Sequence, residues 1–135
     1  MKIGILTFHR ALNYGALLQT YALQKVISGF DVKSEIIDYR NPIIEEAYRN
    51  KGFWERKGAI DKLRYILHRK NEVDKREKFK AFIKNQLCLT KESYLNNDDL
   101  KKINDCYDVY ITGSDQVWYY GAHDCFYYSR IYCKC

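Results

Sequence analysis

Two short loops carry the residue types best suited to binding a ligand. The first is RALNYG, Arg10–Gly15, which follows an apolar stretch. Asn13 can cap the next helix through its side-chain oxygen, and Gly15 allows close backbone approach or a positive φ. Exposed N–H groups at that helix start would favour a phosphate or carboxylate. His9 and Arg10 could contact the same anion, although a satisfied, half-buried position suits His9 almost as well.

The second loop is GSDQVW, Gly113–Trp118. Gly113 gives the turn, and Ser114 and Asp115 offer a cap or a proton acceptor. Gln116 supplies an amide, and Trp118 a flat ring on which a sugar could stack. Purely structural roles remain open for three of the candidates. Asn13 and Asp115 are both favoured cap types, and Trp118 suits a core position because large aromatic side chains are mostly buried.

A strand–helix–strand unit is needed to position the first loop. The sequence predicts a strand, a helix that starts at Ala16 and stops at Gly29, and a second strand. The two strands are Lys2–His9 and Val32–Tyr39. The apolar stripe of the helix is Leu18, Ala22 and Val26, widened by Leu17, Tyr21 and Leu23. Pro42 then closes the unit.

The second loop follows a third predicted strand, Asp108–Thr112. In open parallel sheets, ligands bind beyond the carboxyl ends of strands, where the strand order reverses. If Asp108–Thr112 lies beside the first strand, both loops flank that point. We therefore predict an α/β, Rossmann-like three-layer domain with a short parallel sheet and one crevice between the two loops.

The stretch between the second and third strands is helical and basic. Ala59–Arg69 places Ile60, Leu63 and Leu67 on one face. A second helix, Glu72–Leu87, does the same with Phe79, Phe82, Ile83 and Leu87. Asn97 is the expected cap of a short helix over Asp98–Asn104.

Composition narrows the possible partners. Of 135 residues, 47% are apolar and 30% are charged. The sequence shows neither the long apolar run of a membrane span nor a recognisable signal peptide. We therefore expect a cytoplasmic protein. The net charge is +6, and the segment 49–102 holds 16 Lys and Arg against 8 Asp and Glu. A solvated helix face explains this excess best, followed by an anionic small molecule or glycan. No nucleic-acid recognition motif accompanies the charge.

The five cysteines do not predict a metal centre. His123, Cys125, Cys133 and Cys135 could in principle bind zinc, but their spacing lacks a C-x-x-C pair. In a reducing compartment we expect free thiols, and we predict neither a metal nor a cofactor.

A nicotinamide enzyme is the obvious rival for such a start. Asp38, near the end of the second strand, stands about where a ribose-binding acid should be. The first loop, however, has one glycine where the dinucleotide fingerprint G-x-G-x-x-G has three. We therefore rank this rival low.

Three segments together resemble the polysaccharide pyruvyl transferase family. They are TFHRALNYGALLQTYALQ (Thr7–Gln24), IIDYR (Ile36–Arg40) and ITGSDQVW (Ile111–Trp118). The resemblance implies the N-terminal half of a GT-B-like glycosyltransferase fold, in which two Rossmann-like domains face a cleft. It also implies transfer of a pyruvyl group from phosphoenolpyruvate to a glycan or lipid-linked sugar, forming a ketal for cell-surface polysaccharides.

On this reading the substrate-binding candidates are His9, Arg10, Asn13, Gly15, Gly113, Ser114 and Gln116, and the catalytic candidate is Asp115. The domain spans 1–118, with a basic helical insert at about 49–105, and 119–135 form an atypical tail in which Tyr119 replaces the Asn usual in the family. We expect an N-terminal fragment, truncated or frameshifted, that does not transfer pyruvyl groups alone. A stand-alone domain that binds a glycan or a partner chain is the alternative.

Overall fold

The computed structural model describes residues 1–40, 42–49, 52–103 and 105–113. Its strands are β1 (Lys2–Thr7), β2 (Lys33–Tyr39), β3 (Leu89–Tyr94) and β4 (Val109–Gly113). Its helices are α1 (Tyr14–Ser28), α2 (Pro42–Ala47), α3 (Ala59–Gln86) and α4 (Asn97–Lys101), with a short 3₁₀ helix at Phe53–Glu55. None of the described helices is both long enough and apolar enough to cross a membrane.

The four described strands form one parallel sheet in the order β3-β2-β1-β4. The chain runs outward from β1 through β2 to β3 and then returns to the other side of β1. The strand order therefore reverses between β1 and β4, whose last residues, Thr7 and Gly113, are paired. This confirms the predicted α/β, Rossmann-like domain and the predicted neighbourhood of the first strand and the DVYIT strand.

Each face of the sheet carries its own apolar cluster, as expected for a parallel sheet covered on both sides. The first cluster packs beneath α1 and the C-terminal part of α3: Ile3, Ile5, Leu17, Ile27, Ile36, Phe79 and Leu87. The second lies on the opposite face with α4: Leu6, Phe8, Ala11, Ile37, Tyr39, Tyr94, Leu100, Ile103 and Tyr107. The sheet is thus the middle of three layers.

The centre of the apolar stripe predicted on α1 is wrong, whereas Leu17, Tyr21 and Leu23, predicted to widen it, do pack against the core. Leu18 and Val26 are 54% and 61% exposed. The side that packs on the sheet carries two polar residues, and its buried members are Ala16, Leu17, Thr20, Gln24 and Ile27. Gln24 is buried because its side-chain amide pairs with the backbone of Cys88, donating to its C=O and accepting from its N–H at 3.0 Å each. Satisfied polar groups of this kind interrupt the hydrophobic pattern.

Several predicted boundaries also shift. β1 ends at Thr7 and β2 begins at Lys33, while Pro42 starts α2 where we expected it to end the unit. Proline is favoured in a first helical turn because the N–H it lacks would have no partner there.

The two predicted basic helices are one continuous helix, α3, and the cap of α4 moves by one residue. Asn96 caps α4 by accepting the Asp99 N–H at 2.8 Å, and Asn97 is the first helical residue. The strand β3 was missed altogether because its middle residues are exposed and polar, so it has no apolar run. As a result, the predicted third strand is β4.

Candidate functional site

The carboxyl ends of β1, β2 and β4 meet at one edge of the sheet, and the loop from β1 to α1 begins there. The loop folds tightly: the Ala11 N–H donates to the Phe8 C=O at 3.1 Å, and the Asn13 N–H donates to the Ala11 C=O at 2.7 Å. Phe8 and Ala11 are buried in the core on the α4 face. The loop is therefore anchored by apolar residues while Asn13 is left at the helix start.

Asn13 is the N-cap of α1, as the sequence predicts. Its Oδ1 accepts from the backbone N–H groups of Gly15 at 2.8 Å and Ala16 at 3.4 Å. A Cβ on Gly15 would lie only 3.2 Å from the same oxygen, so the missing side chain leaves room for the cap. The alternative that Gly15 adopts a positive φ is wrong, because among the described glycines only Gly58 does so.

The start of α1 is open to solvent and electrostatically positive. Tyr14 and Gly15 are exposed, and the first turn of this 15-residue helix contains no acidic residue. Aligned peptide dipoles place partial positive charge at a helix N-terminus. This end of α1 can therefore accept an anionic group, provided that the group shares the first-turn donors with Asn13.

A hydrogen-bonded cluster of four side chains joins the loop after β1 to β2 and β3. At its centre is the carboxylate of Asp38, which is 3% exposed. Asp38 Oδ1 accepts from His9 Nε2 at 3.0 Å and from Arg10 Nε at 2.5 Å. Asp38 Oδ2 accepts from Arg10 Nη2 at 2.6 Å and from Ser93 Oγ at 2.5 Å. We call these four residues the Asp38 cluster.

The Asp38 cluster stays charged at its centre. Burial alone would raise the pKa of Asp38, but hydrogen bonds from His9, Arg10 and Ser93, with the charge of Arg10, hold that pKa far below its usual value. A bidentate Arg–carboxylate pair is a strong and directional contact. The cluster therefore fixes the direction of the Arg10 guanidinium at the edge of the sheet.

His9 and Arg10 differ in what they can reach. His9 has no exposed surface, and its Nδ1 lies 3.2 Å from the Thr7 carbonyl oxygen, so it is fully buried where a half-buried position was considered. The Arg10 side chain is about one-third exposed. No described residue accepts a hydrogen bond from its Nη1. Of the two, only Arg10 presents a cationic surface to solvent at this edge.

The occupied carboxylate of Asp38 also argues against the nicotinamide rival. A ribose-binding acid must offer free oxygens to the sugar hydroxyls. Both oxygens of Asp38 already accept two hydrogen bonds each. The hydrogen bonds of Asp38 therefore disfavour the hypothesis of a dinucleotide-binding enzyme.

Sequence reasoning identified neither Ser93 nor the strand β3 that places it beside Asp38. The pairing of β2 with β3 shifts register between Ile36 and Asp38, where the Asp38 N–H donates to Thr90 Oγ1 at 3.0 Å. The irregularity brings Ser93 opposite Asp38. A bulge that re-aims a side chain in this way is a tertiary feature. The serine alone, in an exposed polar strand, carries no recognisable signal.

Gly113 closes β4 beside β1 and lies against the end of the Leu23 side chain. A Cβ there would lie 2.5 Å from Leu23 Cδ2 on α1. The missing side chain lets α1 pack close to the end of β4, and Gly113 thus belongs to the strand where we expected a turn residue. Ser114, Asp115, Gln116 and Trp118 lie outside the described residues.

The metal expectation is largely untested, because His123, Cys125, Cys133 and Cys135 also lie outside the described residues. Cys88 and Cys106 are exposed free thiols. Within the described ranges, no group of three or more His, Cys, Asp or Glu side chains has the arrangement of a metal site.

Comparison with known proteins bears directly on this edge. The model of one family, described as polysaccharide pyruvyl transferase, matches residues 13–134, which include the capped start of α1, Gly113 and the GSDQVW loop. No curated protein and no solved structure matches the chain. Since the match covers most of the chain and agrees with the α/β fold, the chain belongs to the polysaccharide pyruvyl transferase family.

Proposed function

We propose that this domain takes part in transferring a pyruvyl group from phosphoenolpyruvate to two hydroxyls of a sugar, as a ketal, during cell-surface polysaccharide synthesis in the cytoplasm. The observation that carries the proposal is the family match over residues 13–134. The pairing of β1 with β4 supports it, because Asn13 and Gly113, which both fall within the match, follow or end these neighbouring strands.

The proposed reaction sets clear requirements. Two sugar hydroxyl oxygens bond to the central carbon of the enolpyruvyl group, and the bond from that carbon to the phosphate oxygen breaks. The methylene carbon gains a proton and becomes a methyl group, while inorganic phosphate leaves with the second proton. The site must therefore hold a phosphate and a carboxylate, protonate a carbon and accept hydroxyl protons.

Two positive groups at the described edge support an assignment to the first of these requirements. The exposed N-terminus of α1 and the guanidinium of Arg10 are both positive and both follow β1. We assign them to the anionic donor, with Gly15 and Gly113 allowing close approach. His9 acts through Asp38, as a positioning residue for Arg10, since it has no surface of its own.

Proton handling is assigned to the loop after β4. Asp115 follows the last residue of β4 by two positions, and we propose that it contacts a sugar hydroxyl and accepts its proton. Ser114 and Gln116 are the proposed polar contacts beside it. The acceptor is a glycan or a lipid-linked sugar, by family resemblance.

We further propose that the opposite wall of the cleft belongs to a second, GT-B-like domain, whichever chain supplies it. Enclosure between two domains excludes water and places donor against acceptor, and much of the rate enhancement of enzymes comes from such positioning. We therefore expect this domain alone to bind the donor weakly without forming a ketal.

Donor binding can be mapped by titrating phosphoenolpyruvate into the ¹⁵N-labelled protein. We expect the largest NMR shifts at the amides of Gly15 and Ala16 and at Arg10 Nε. Arg10→Gln should weaken binding at least tenfold, whereas Lys25→Gln, which removes an exposed charge near the far end of α1, should not. Shifts confined to α3, or none at saturating donor, would contradict the assignment even if Arg10→Gln proved too unstable to study.

Transfer is tested by incubating the chain with phosphoenolpyruvate and glycan acceptors, then measuring phosphate release and product mass. Ketal above a no-protein control would contradict the need for a second domain. In a two-domain family member, alanine at the position of Asp115 should lower turnover at least a hundredfold while leaving the melting temperature within a few degrees. A shifted melting temperature with normal kinetics would instead make this aspartate a helix cap.

A further inference from the structure

The N-terminal half of α3, residues 59–73, exposes a stripe of apolar side chains. Ile60 is 80% exposed and Leu67 is 68% exposed, with Leu63 and Ile66 at similar values between and beside them. Trp54, in the 3₁₀ helix just before α3, is 87% exposed. Apolar residues scattered singly over a surface are ordinary, but four neighbours on one helix form a patch of the kind that marks an interaction site. We call Ile60, Leu63, Ile66 and Leu67 the α3 stripe.

The α3 stripe is not covered by the described part of the domain. Each residue of an α-helix turns by about 100°, so Phe79, Phe82 and Ile83, which pack on the domain, share one side of α3. By the same rotation Leu63 and Ile66 lie about 100–160° from all three, whereas Ile60 and Leu67 lie only about 40–60° from Phe82. Tyr65, on the domain side of this half, contacts the ring of Phe53 and is only partly exposed. No movement among the described residues is therefore needed to uncover the stripe.

Cationic side chains border the α3 stripe. Lys70 continues it toward the C-terminus, Arg64 lies along one border, and Lys62 and Arg69 lie beyond the other. The single acidic residue among 59–70, Asp61, falls on nearly the opposite side of the helix. Within the described ranges, no acidic side chain lies within ion-pair distance of these four cations. The nearest carboxylate on this side of α3 is the exposed Asp74, one turn beyond Lys70, so the surface around the stripe combines apolar and predominantly positive character.

We infer that the α3 stripe docks this domain on the surface of an anionic phospholipid bilayer, with the N-terminal half of α3 lying flat in the head-group layer. Helices that bind this way carry Leu, Phe or Trp on one face and Lys or Arg around it. The long stems of Arg64 and Lys70 can follow the apolar side chains downward while their charges remain among the lipid phosphates.

Charge disfavours the simplest competing occupant, a second copy of the chain. Pairing two α3 stripes would bring Arg64 and Lys70 of one copy near those of the other, and the nearest carboxylate on that side of α3, Asp74, lies one turn beyond Lys70. An anionic lipid surface supplies the opposite charge over the whole length of the stripe. The inference does not depend on the proposed transfer reaction.

The test is vesicle flotation with the intact protein. We compare vesicles of pure phosphatidylcholine with vesicles containing about one-third phosphatidylglycerol. Binding is expected to the anionic vesicles only and should weaken as salt is raised, since surface attraction is screened. Leu63→Gln with Leu67→Gln, and separately Arg64→Gln with Lys70→Gln, should each raise the half-saturating lipid concentration at least fivefold.

Matched controls are available on α1 and β2. Leu18→Gln with Val26→Gln removes two apolar side chains of comparable exposure, and Lys25→Gln with Lys33→Gln removes two exposed charges. Both should leave vesicle binding unchanged, and circular dichroism should show every variant folded. No binding, equal binding to both vesicle types, or equal losses in the controls would overturn the inference. A dimer in sedimentation velocity that Leu63→Gln with Leu67→Gln dissociates would also overturn it, in favour of self-association.

Discussion

The Asp38 cluster and the α3 stripe reverse the usual distribution of polar and apolar residues. In the cluster, a histidine and a carboxylate are buried at the ends of β1 and β2. In the stripe, isoleucine and leucine side chains are more than half exposed over two turns of a helix. Both regions belong to the same domain, and their sequences predict neither arrangement by hydrophobicity alone.

The difference teaches that hydrogen-bond partners and available surfaces decide burial here. Asp38 can be buried because three side chains donate to it, and an isolated buried carboxylate would be prohibitively costly. Leu63 is exposed because the sheet face available to α3 is already filled by its C-terminal half. A polar site that holds its own partners is structural or positioning, whereas an apolar site without partners is available for binding.

The largest expected effect comes from breaking the Asp38 cluster. Asp38→Ala leaves His9 and Arg10 without their shared acceptor, so we expect a loss of about 3–5 kcal/mol in the free energy of unfolding. Urea unfolding at pH 7 measures this loss. Asp74→Ala, an exposed carboxylate on α3, is the control and should change stability by less than about 0.5 kcal/mol. A similar small change for Asp38→Ala would mean that the cluster adds nothing.

The stability difference between the original chain and Asp38→Ala should also depend on pH. The pKa of Asp38 is lowered in the folded state, so its contribution is complete above the unfolded value near 4 and is lost as the pH falls toward the folded value. The stability difference between the original chain and Asp38→Ala should therefore be constant from pH 7 to about 5 and shrink below about 4. A difference that grows on acidification would contradict the assigned direction.

A smaller effect is expected from crowding the sheet beneath Tyr107. A Cβ on Gly4 would lie 3.0 Å from two ring carbons of Tyr107 and 3.1 Å from Ile37 Cδ1. Both neighbours are buried, so Gly4→Ala should cost about 1–3 kcal/mol by overpacking. Thermal unfolding of the variant tests this, and an unchanged midpoint would show that the core on the α4 face is loosely packed.

Removal of the α1 cap should lower the free energy of unfolding by a still smaller amount. Asn13→Ala leaves the N–H groups of Gly15 and Ala16 without their side-chain acceptor, which typically costs about 1 kcal/mol. Asn13→Asp should keep most of the stability, since a carboxylate also caps and suits the helix dipole. If the alanine and aspartate variants unfold at the same urea concentration, the cap is not what stabilises this helix start.

The smallest effect is expected at the α3 stripe. Leu63→Gln with Leu67→Gln should change the free energy of unfolding by no more than about 0.5 kcal/mol, because neither side chain is packed. The matched contrast is Leu17→Ala on α1, where a buried leucine should cost about 2–5 kcal/mol. Equal losses at both places would show that the stripe is part of a core, and would remove the comparison on which the docking inference depends.

Sequence reasoning correctly predicted two features of this edge of the sheet, the helix cap and the strand pairing. The cap at Asn13 follows from the preference of asparagine for helix starts, and the meeting of β1 with β4 follows from topology. It failed on the buried side of α1, because Thr20 and Gln24 occupy positions where the pattern expects apolar residues. It also failed on β3, whose exposed middle residues resemble a loop.

The sequence by itself determined the class of the domain, the edge of the sheet at which ligands are expected and the capped start of α1. These depend on short-range preferences and on the few topologies open to a parallel sheet. Only the tertiary structure decided that Asp38 binds His9, Arg10 and Ser93, and that the apolar face of the first half of α3 points to solvent. Those outcomes depend on which segments meet in space. No local sequence pattern predicts a hydrogen bond from Ser93 to Asp38, or which part of a long helix packs on the sheet.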